Sequence, residues 1–243
     1  MITMLLRREL RSLLGQPATW WLLALLQFVF AWFFLARTEF FLAIQPQLAQ
    51  LATPPGATLT IGVPVFNLQA LLLLVLTPLF TMRLIAEERR NHTWPLLQSA
   101  PLTTGQIVLG KLLGLWLFLG LVALSGPLML LTLSVGTQLD QGLLFSNTVG
   151  LLLLLFSQIA LGLYCSALTH APVVAALSTL LIQAGLWLAD LLSNDENSAW
   201  HTLSPMHHFQ NFNNGLLDSR DAVFFLLFGA SFVLLTWRRL ARS

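Results

Sequence analysis

The sequence predicts an all-α membrane protein with six transmembrane helices. Of its 243 residues, 56% are hydrophobic and only 9% are charged, whereas a soluble domain carries roughly 25% charged residues. Apolar runs of about 20 residues, the length needed to cross a bilayer, recur along the chain. These two observations indicate one continuous transmembrane domain over residues 1–243 and argue against a soluble fold.

The first element is an N-terminal amphipathic helix over residues 1–16, which Gly15 and Pro17 separate from the first span. Leucines lie along one side of this helix, while Arg7, Arg8 and Arg11 lie along the other. This pattern is typical of a helix that lies in the membrane interface and is attracted to anionic lipid headgroups. The alternative is a basic flank that only sets the orientation of the first span.

Six apolar runs follow, and each is close to the length of a transmembrane helix. They are residues 18–36, 64–82, 108–134, 143–165, 172–191 and 221–237. Pro78 and Pro127 fall inside spans 2 and 3, so we expect kinks and carbonyl groups that need partners from neighbouring helices. Gly150 and Gly162 in span 4 favour close helix packing.

The distribution of Lys and Arg predicts the orientation. Ten of the twelve basic residues belong to the N-terminal segment, the loop between spans 2 and 3 with the start of span 3, or the C-terminal tail. They are Arg7, Arg8, Arg11, Arg83, Arg89, Arg90, Lys111, Arg238, Arg239 and Arg242. Basic residues concentrate on the cytoplasmic side of membrane proteins, so both termini are predicted to be cytoplasmic. Because these residues do not form a patch with stacking aromatic residues, nucleic acid is not an expected partner.

The loop between spans 2 and 3 is predicted to contain a short cytoplasmic helix. Arg83 to Arg90 continue span 2, and Thr93 is placed to cap a new helix at roughly 94–99, with Pro95 in its first turn. Thr103 or Thr104 is placed to cap the following helix. The short helix carries three apolar side chains to bury, and either a partner protein or the inner leaflet can cover them. These side chains are Trp94, Leu96 and Leu97.

This loop resembles the signature of the ABC type-2 permease family, the membrane subunits of many bacterial ABC exporters. The matching positions are Glu87, Glu88, Arg89, Arg90, Thr93, Leu96, Leu97, Pro101, Gly110 and Lys111. His92 and Pro95 depart from the pattern, since the family usually has Gly and an acidic residue there. The opening RRELRSLLGQPATWW and the late LSPMHHFQNFNNGLLDSRDAVFF are similar to segments of the gliding-motility-type branch.

The resemblance implies a permease subunit in a bacterial inner membrane, with a coupling helix that docks on an ATP-binding cassette subunit. It also implies pairing with a second copy or a paralogue, and further periplasmic or membrane subunits are possible partners. ATP and Mg²⁺ would be bound by the ATPase subunit and no cofactor by this chain, which is not expected to be an enzyme. The sequence agrees, because it has no GxxxxGK[ST] phosphate loop.

Several polar residues in the other segments have two interpretations. His201, His207 and His208 suggest a metal cluster, although such histidines are more often solvated loop residues. Asp190, at the outer end of span 5, is expected to be a solvated carboxylate. Polar residues within or at the edges of spans either line a polar path or form hydrogen bonds between helices. The latter include Gln27, Gln69, Gln158 and Gln183.

Two other functions compete with the transporting permease. A secondary carrier would need ionisable residues near the centres of its spans, and the predicted spans lack them. A membrane anchor that transmits ATP-driven motion without moving a solute fits the sequence as well as a permease does.

Overall fold

The computed structural model describes residues 2–48, 50, 56–95, 103–193 and 199–242, which are helical almost throughout and contain no strand. Eleven α-helices are numbered here in chain order within those residues. They are α1 (Ile2–Leu14), α2 (Pro17–Leu48), α3 (Val63–Thr81), α4 (Glu88–Arg90), α5 (Thr104–Ala123), α6 (Ser125–Thr132), α7 (Gln141–Leu168), α8 (Pro172–Leu192), α9 (Ala199–Leu203), α10 (Pro205–Asn213) and α11 (Ser219–Ala241). Thr58–Gly62 and Arg83–Glu87 form π-helical turns at the two ends of α3, and Leu133–Val135 form a 3₁₀ turn.

Six helical stretches among the described residues are long and apolar enough to cross a membrane, as the sequence predicts. They are Pro17–Gln47, Thr58–Arg90, Thr104–Val135, Gln141–Leu168, Pro172–Leu192 and Ser219–Ala241. Helix α2, the first of the six, is much longer than the predicted span 18–36, because it continues through Arg37 and Glu39 into a second apolar stretch. Arg37 is held there by the Thr60 carbonyl, 3.2 Å from its Nη2.

Helix α7 is the centre of the bundle, and its neighbours are α3, α5, α8, α10 and α11. Asp140 caps its first turn, because its carboxylate accepts hydrogen bonds from the backbone N–H groups of Gly142 and Leu143. Apolar residues lie on all its sides, as expected for a helix surrounded by other helices. A side chain at Gly150 would overlap Phe212, and one at Gly162 would overlap Thr81. The predicted close packing at these glycines is therefore confirmed.

The carbonyl that the third-span proline leaves without a helical N–H partner is satisfied by a neighbouring helix, as predicted. Pro127 has no N–H to donate to the Ala123 carbonyl, and the helix breaks there into α5 and α6. The Gln69 side chain from α3 donates to that carbonyl instead, over 2.7 Å. Gln183 similarly donates to the Gln158 carbonyl, over 3.1 Å. These glutamines join helices to one another, which favours the second of the two interpretations of the polar residues in the spans.

The segment after α8 returns to the bundle. Met206, Phe209 and Phe212 of helix α10 are buried in the core, where the helix packs against α7. Ser204 caps its first turn by accepting from the His207 N–H. Trp200, which precedes it on α9, is half-exposed. Polar residues separate Met206, Phe209 and Phe212 in the sequence, and this spacing places the three apolar side chains on the face of α10 that packs on protein.

Candidate functional site

The candidate functional site lies at the basic end of the bundle, where the second span ends. Helix α4 closes in a Schellman motif, with the Thr93 N–H bonded to the Glu88 carbonyl and the His92 N–H to the Arg89 carbonyl. His92 has φ 55°, in the left-handed region that favours glycine. The turn that separates the second span from the following segment is therefore well defined.

A buried lysine connects three helices at this site. The Nζ atom of Lys111, on α5, lies 2.7 Å from Glu88 Oε1 and 2.9 Å from Glu9 Oε1 of α1. The Lys111 side chain is only 2% exposed, and the two glutamates are 13% and 16% exposed. A buried ammonium needs such compensation, so this ion cluster ties α1 and the end of the second span to the start of the third.

Arg89 connects the same turn to α7. Its Nη1 donates to the Ala167 carbonyl over 3.1 Å, and its guanidinium lies 5.8 Å from the centre of the Trp94 ring. Trp94 is buried within this chain, so its ring does not need a partner protein to cover it. Arg89 thus links α7 to the charged turn and to the Trp94 ring after it.

Ser166, the residue before Ala167, fixes the π-helical turn. Its hydroxyl accepts hydrogen bonds from the N–H groups of Ile85 and Ala86, at 3.2 and 3.0 Å, and donates to the Met82 carbonyl. The wider π-helical turn disturbs the ordinary i→i−4 pattern, and this side chain bonds to backbone groups of the turn. Ser166 and Ala167 together attach the end of the second span to α7. On the other side, Arg83 donates to the Gln16 side chain between α1 and α2.

The structure brings together part of the predicted coupling set. Glu88, Arg89, Thr93 and Trp94 form one packed unit, whereas Glu87 is half-buried and Arg90 is exposed beside it. Leu96, Leu97 and Pro101 lie outside the described residues. The Thr93 hydroxyl donates to the Glu88 carbonyl. Thr93 is also predicted to cap the short helix that follows, but the Leu96 N–H that it would cap lies outside the described residues. Thr103 caps α5 as predicted, in a capping box with Gln106.

The N-terminal residues are placed by contacts with α5. In α1, Leu5 and Leu13 are buried, and Arg7, Arg8 and Arg11 are exposed. Leu5 packs against Gly110, and Glu9 against Gly114. The basic residues are therefore free to meet a lipid headgroup, while the apolar side contacts protein. Sequence reasoning missed Glu9 and Ser166 as members of the site, and neither has a local signal, because their partners are distant in the chain.

A second polar cluster lies at the opposite end of the bundle, and here two expectations were wrong. Asp190 is buried, with its Oδ1 2.5 Å from His201 Nδ1 and 3.4 Å from His207 Nδ1. His208 pairs with Asp221 instead, at 2.6 Å. The carboxylate is not solvated, and His201 and His208 are not free loop side chains, because α9 and α10 fold back over the end of α8.

The sequence matches a known protein family over nearly its whole length. A family model described as ABC-2 family transporter protein matches residues 3–237. The match is to the family as a whole and does not assign the chain to the gliding-motility-type branch. Among curated proteins, none matches this sequence.

Proposed function

Because this chain belongs to the ABC-2 transporter family, in which it is a multi-pass membrane permease, we propose that it is the membrane subunit of a bacterial ABC exporter. In this proposal a separate ATP-binding cassette subunit binds and hydrolyses ATP with Mg²⁺. The permease converts the resulting motion into movement of a substrate across the inner membrane. The chain itself carries out no chemical step.

The proposed orientation puts the basic end of the bundle in the cytoplasm. The ion cluster of Lys111, Glu9 and Glu88 lies at this end, and so do α1 and the end of α11, where Arg238 and Arg239 are found. Cytoplasmic segments are enriched in Lys and Arg. The ATP-binding subunit would then meet the loop that follows Trp94, and Arg7, Arg8 and Arg11 would meet anionic lipid.

The observation that carries the proposal is the convergence of three helices, α1, α5 and α7, on the turn at the end of the second span, next to that loop. Through Lys111 the turn holds α1 and α5, and through Arg89 and Ser166 it holds α7. A push on residues 94–101 is therefore transmitted to the ends of several spans at once. Closely packed helices transmit such displacement with little loss, because protein interiors have low compressibility.

A second copy or a paralogue would complete the transporter. One face of helix α2 is largely uncovered by the chain, and it exposes large side chains that include Trp21, Phe28 and Trp32. Lipid or a second permease must cover this face. A permease dimer above an ATPase dimer gives each ATP-binding subunit one loop to contact.

The test is removal of the loop's apolar pair. Replacing Leu96→Asp and Leu97→Asp together should abolish co-purification of the phosphate-loop ATPase from native membranes and the ATPase activity of the purified complex, because charged side chains cannot enter an apolar groove. The matched control is Leu216→Asp with Leu217→Asp, an exposed leucine pair at the opposite end of the bundle. Undiminished ATPase association after the first change would contradict the coupling assignment.

A further inference from the structure

Three metal-ligating side chains meet at the end of the bundle opposite the basic site. They come from three elements: Asp190 from the last turns of α8, His201 from α9 and His207 from α10. One potential ligand atom from each lies within 4.8 Å of the other two. Both imidazole Nδ1 atoms approach the same carboxylate oxygen, at 2.5 and 3.4 Å. Three consecutive helices thus bring their donor atoms to one point.

The third histidine of this segment is excluded as a ligand by its own hydrogen bonds. His208 Nδ1 lies 2.6 Å from Asp221 Oδ1, and its Nε2 lies 3.1 Å from the Thr202 carbonyl. Both ring nitrogens are therefore engaged. His208 instead fixes α9 through Thr202 and α11 through Asp221, and its ring stacks on Phe224. It helps to hold the backbone that carries His201 and His207.

The surroundings hold the three donors in place. Asp190 is 7% exposed, and the side chains of His201 and His207 are 19% and 39% exposed. Ser204 caps the helix turn that begins at Pro205 and carries His207. The His201 and His207 rings lie 4.8 Å apart, centre to centre. The carboxylate is thus shielded from water, while His207 leaves a route for an ion to enter.

Two imidazole nitrogens and one carboxylate oxygen form the ligand set of open zinc sites, in which water takes the fourth position. In a tetrahedral site with bonds of 2.0–2.1 Å, ligand atoms are about 3.3 Å apart. The His201–Asp190 pair must separate by about 1 Å to admit the ion, and the widest pair must close by at most about 1.5 Å. Side-chain rotations of two half-buried histidines cover such shifts.

We propose that Asp190, His201 and His207 bind a divalent transition metal, with Zn²⁺ as the best fit to this ligand set. The ion joins the end of α8 to α9 and α10 and so stabilises the segment that folds back over the bundle. With the proposed orientation, the site faces away from the cytoplasm. The inference rests on side-chain geometry alone and holds whether or not the chain couples to an ATPase.

The test is zinc binding by the full-length protein in lipid nanodiscs after treatment with a chelator. Equilibrium dialysis against ZnCl₂ should give saturable, equimolar binding. His201→Ala and His207→Ala should each weaken it by at least about tenfold, since each removes a ligand. His170→Ala is the matched control, because this exposed histidine lies in the loop between α7 and α8, far from the cluster, and it should leave binding unchanged.

Two further measurements keep the test independent of variant folding. The near-isosteric Asp190→Asn change should weaken zinc binding while the protein remains folded, and Co²⁺ bound to the unaltered protein should show the visible absorption of a nitrogen- and oxygen-ligated site. Absence of saturable Zn²⁺ and Co²⁺ binding by the unaltered protein overturns the proposal. Equal binding by the His201→Ala/His207→Ala double variant overturns it too.

Discussion

The backbone of His92 is in the left-handed conformation, which glycine adopts more readily than any other residue. Its φ of 55° is the one positive value of a non-glycine residue among the described positions. The family resemblance places a glycine at the same point, so the departure changes the residue and not the turn. A non-glycine residue there costs about 1 kcal/mol, and the two Schellman hydrogen bonds that end α4 offset this cost.

Lys111 is the residue on which the ion cluster depends. Lys111→Met keeps the volume of the side chain but leaves the mostly buried Glu9 and Glu88 without a positive partner. We expect a loss of about 3 kcal/mol in the free energy of unfolding, because an unpaired buried charge is strongly destabilising. For a chain of this size, that loss lowers the melting temperature by roughly 6–12 °C, measured by thermal unfolding in detergent.

The rescue variant separates charge from packing. Adding Glu9→Gln and Glu88→Gln to Lys111→Met removes the stranded charges, and most of the lost stability should return. Arg242→Met, an exposed basic residue at the same end, is the control and should change the melting temperature little. A triple variant no more stable than Lys111→Met would show that the ion cluster is not what holds α1 to α5.

At the scale of elements, the end of the second span is held in place by α7. Ser166 bonds to the backbone of the π-helical turn, and Arg89 bonds to the next carbonyl along α7. The hydrogen bonds of the turn are therefore shared between two helices. A helix end supported in this way moves together with its neighbour, as a coupling element requires.

Ser166→Ala should loosen this turn without altering the rest of α7. The N–H groups of Ile85 and Ala86 lose their hydroxyl partner, which costs about 1–3 kcal/mol when such groups stay buried. Hydrogen exchange of residues 82–90 should become about fivefold faster or more, since a factor of ten corresponds to about 1.4 kcal/mol. Mass spectrometry of the folded protein measures it.

Ser157→Ala provides the matched control on the same helix. Ser157 is equally buried, but its hydroxyl donates to the Leu154 carbonyl within α7. Its removal should leave exchange at residues 82–90 unchanged. Equal acceleration by both variants would mean that the effect comes from α7 as a whole and not from the bond to the turn.

At the scale of the whole molecule, the proposed orientation in the membrane agrees with the distribution of charged residues between the two ends of the bundle. The Lys111 ion cluster, at the arginine-rich end, and the cluster of Asp190 with His201 and His207 lie at opposite ends of the six spans. We propose that the first end is cytoplasmic, and this arrangement is what the enrichment of Lys and Arg on the inner side predicts.

Cysteine labelling in spheroplasts tests this orientation. In a Cys165→Ala background, Ser12→Cys on α1 and Ser219→Cys at the start of α11 replace exposed serines at the two ends. A membrane-impermeant maleimide should label Ser219→Cys in intact spheroplasts and label Ser12→Cys only after lysis. The reverse pattern would invert the proposed topology and with it the side on which an ATPase docks.

Features encoded within one stretch of chain were predictable from the sequence. Six apolar runs determined six membrane-length helices. Thr103, one of the two threonines predicted to cap the helix of the third span, does cap α5. It was also predictable that a carbonyl near Pro127 would need a hydrogen-bond donor from another helix, because proline has no N–H to donate. The length of α2 was not, since Arg37 and Glu39 interrupt its apolar pattern while the helix continues.

The sequence by itself determined the membrane class, the helical elements and the separation of basic from acidic ends, since these depend on composition and on periodicity within a helix. The tertiary structure alone decided which polar groups meet. Lys111 pairs with Glu9, more than 100 positions earlier in the chain. Ser166 bonds to the turn at residues 82–86, and Asp190 is buried against His201 and His207. Such pairings depend on how helices pack in three dimensions, and no local pattern records them.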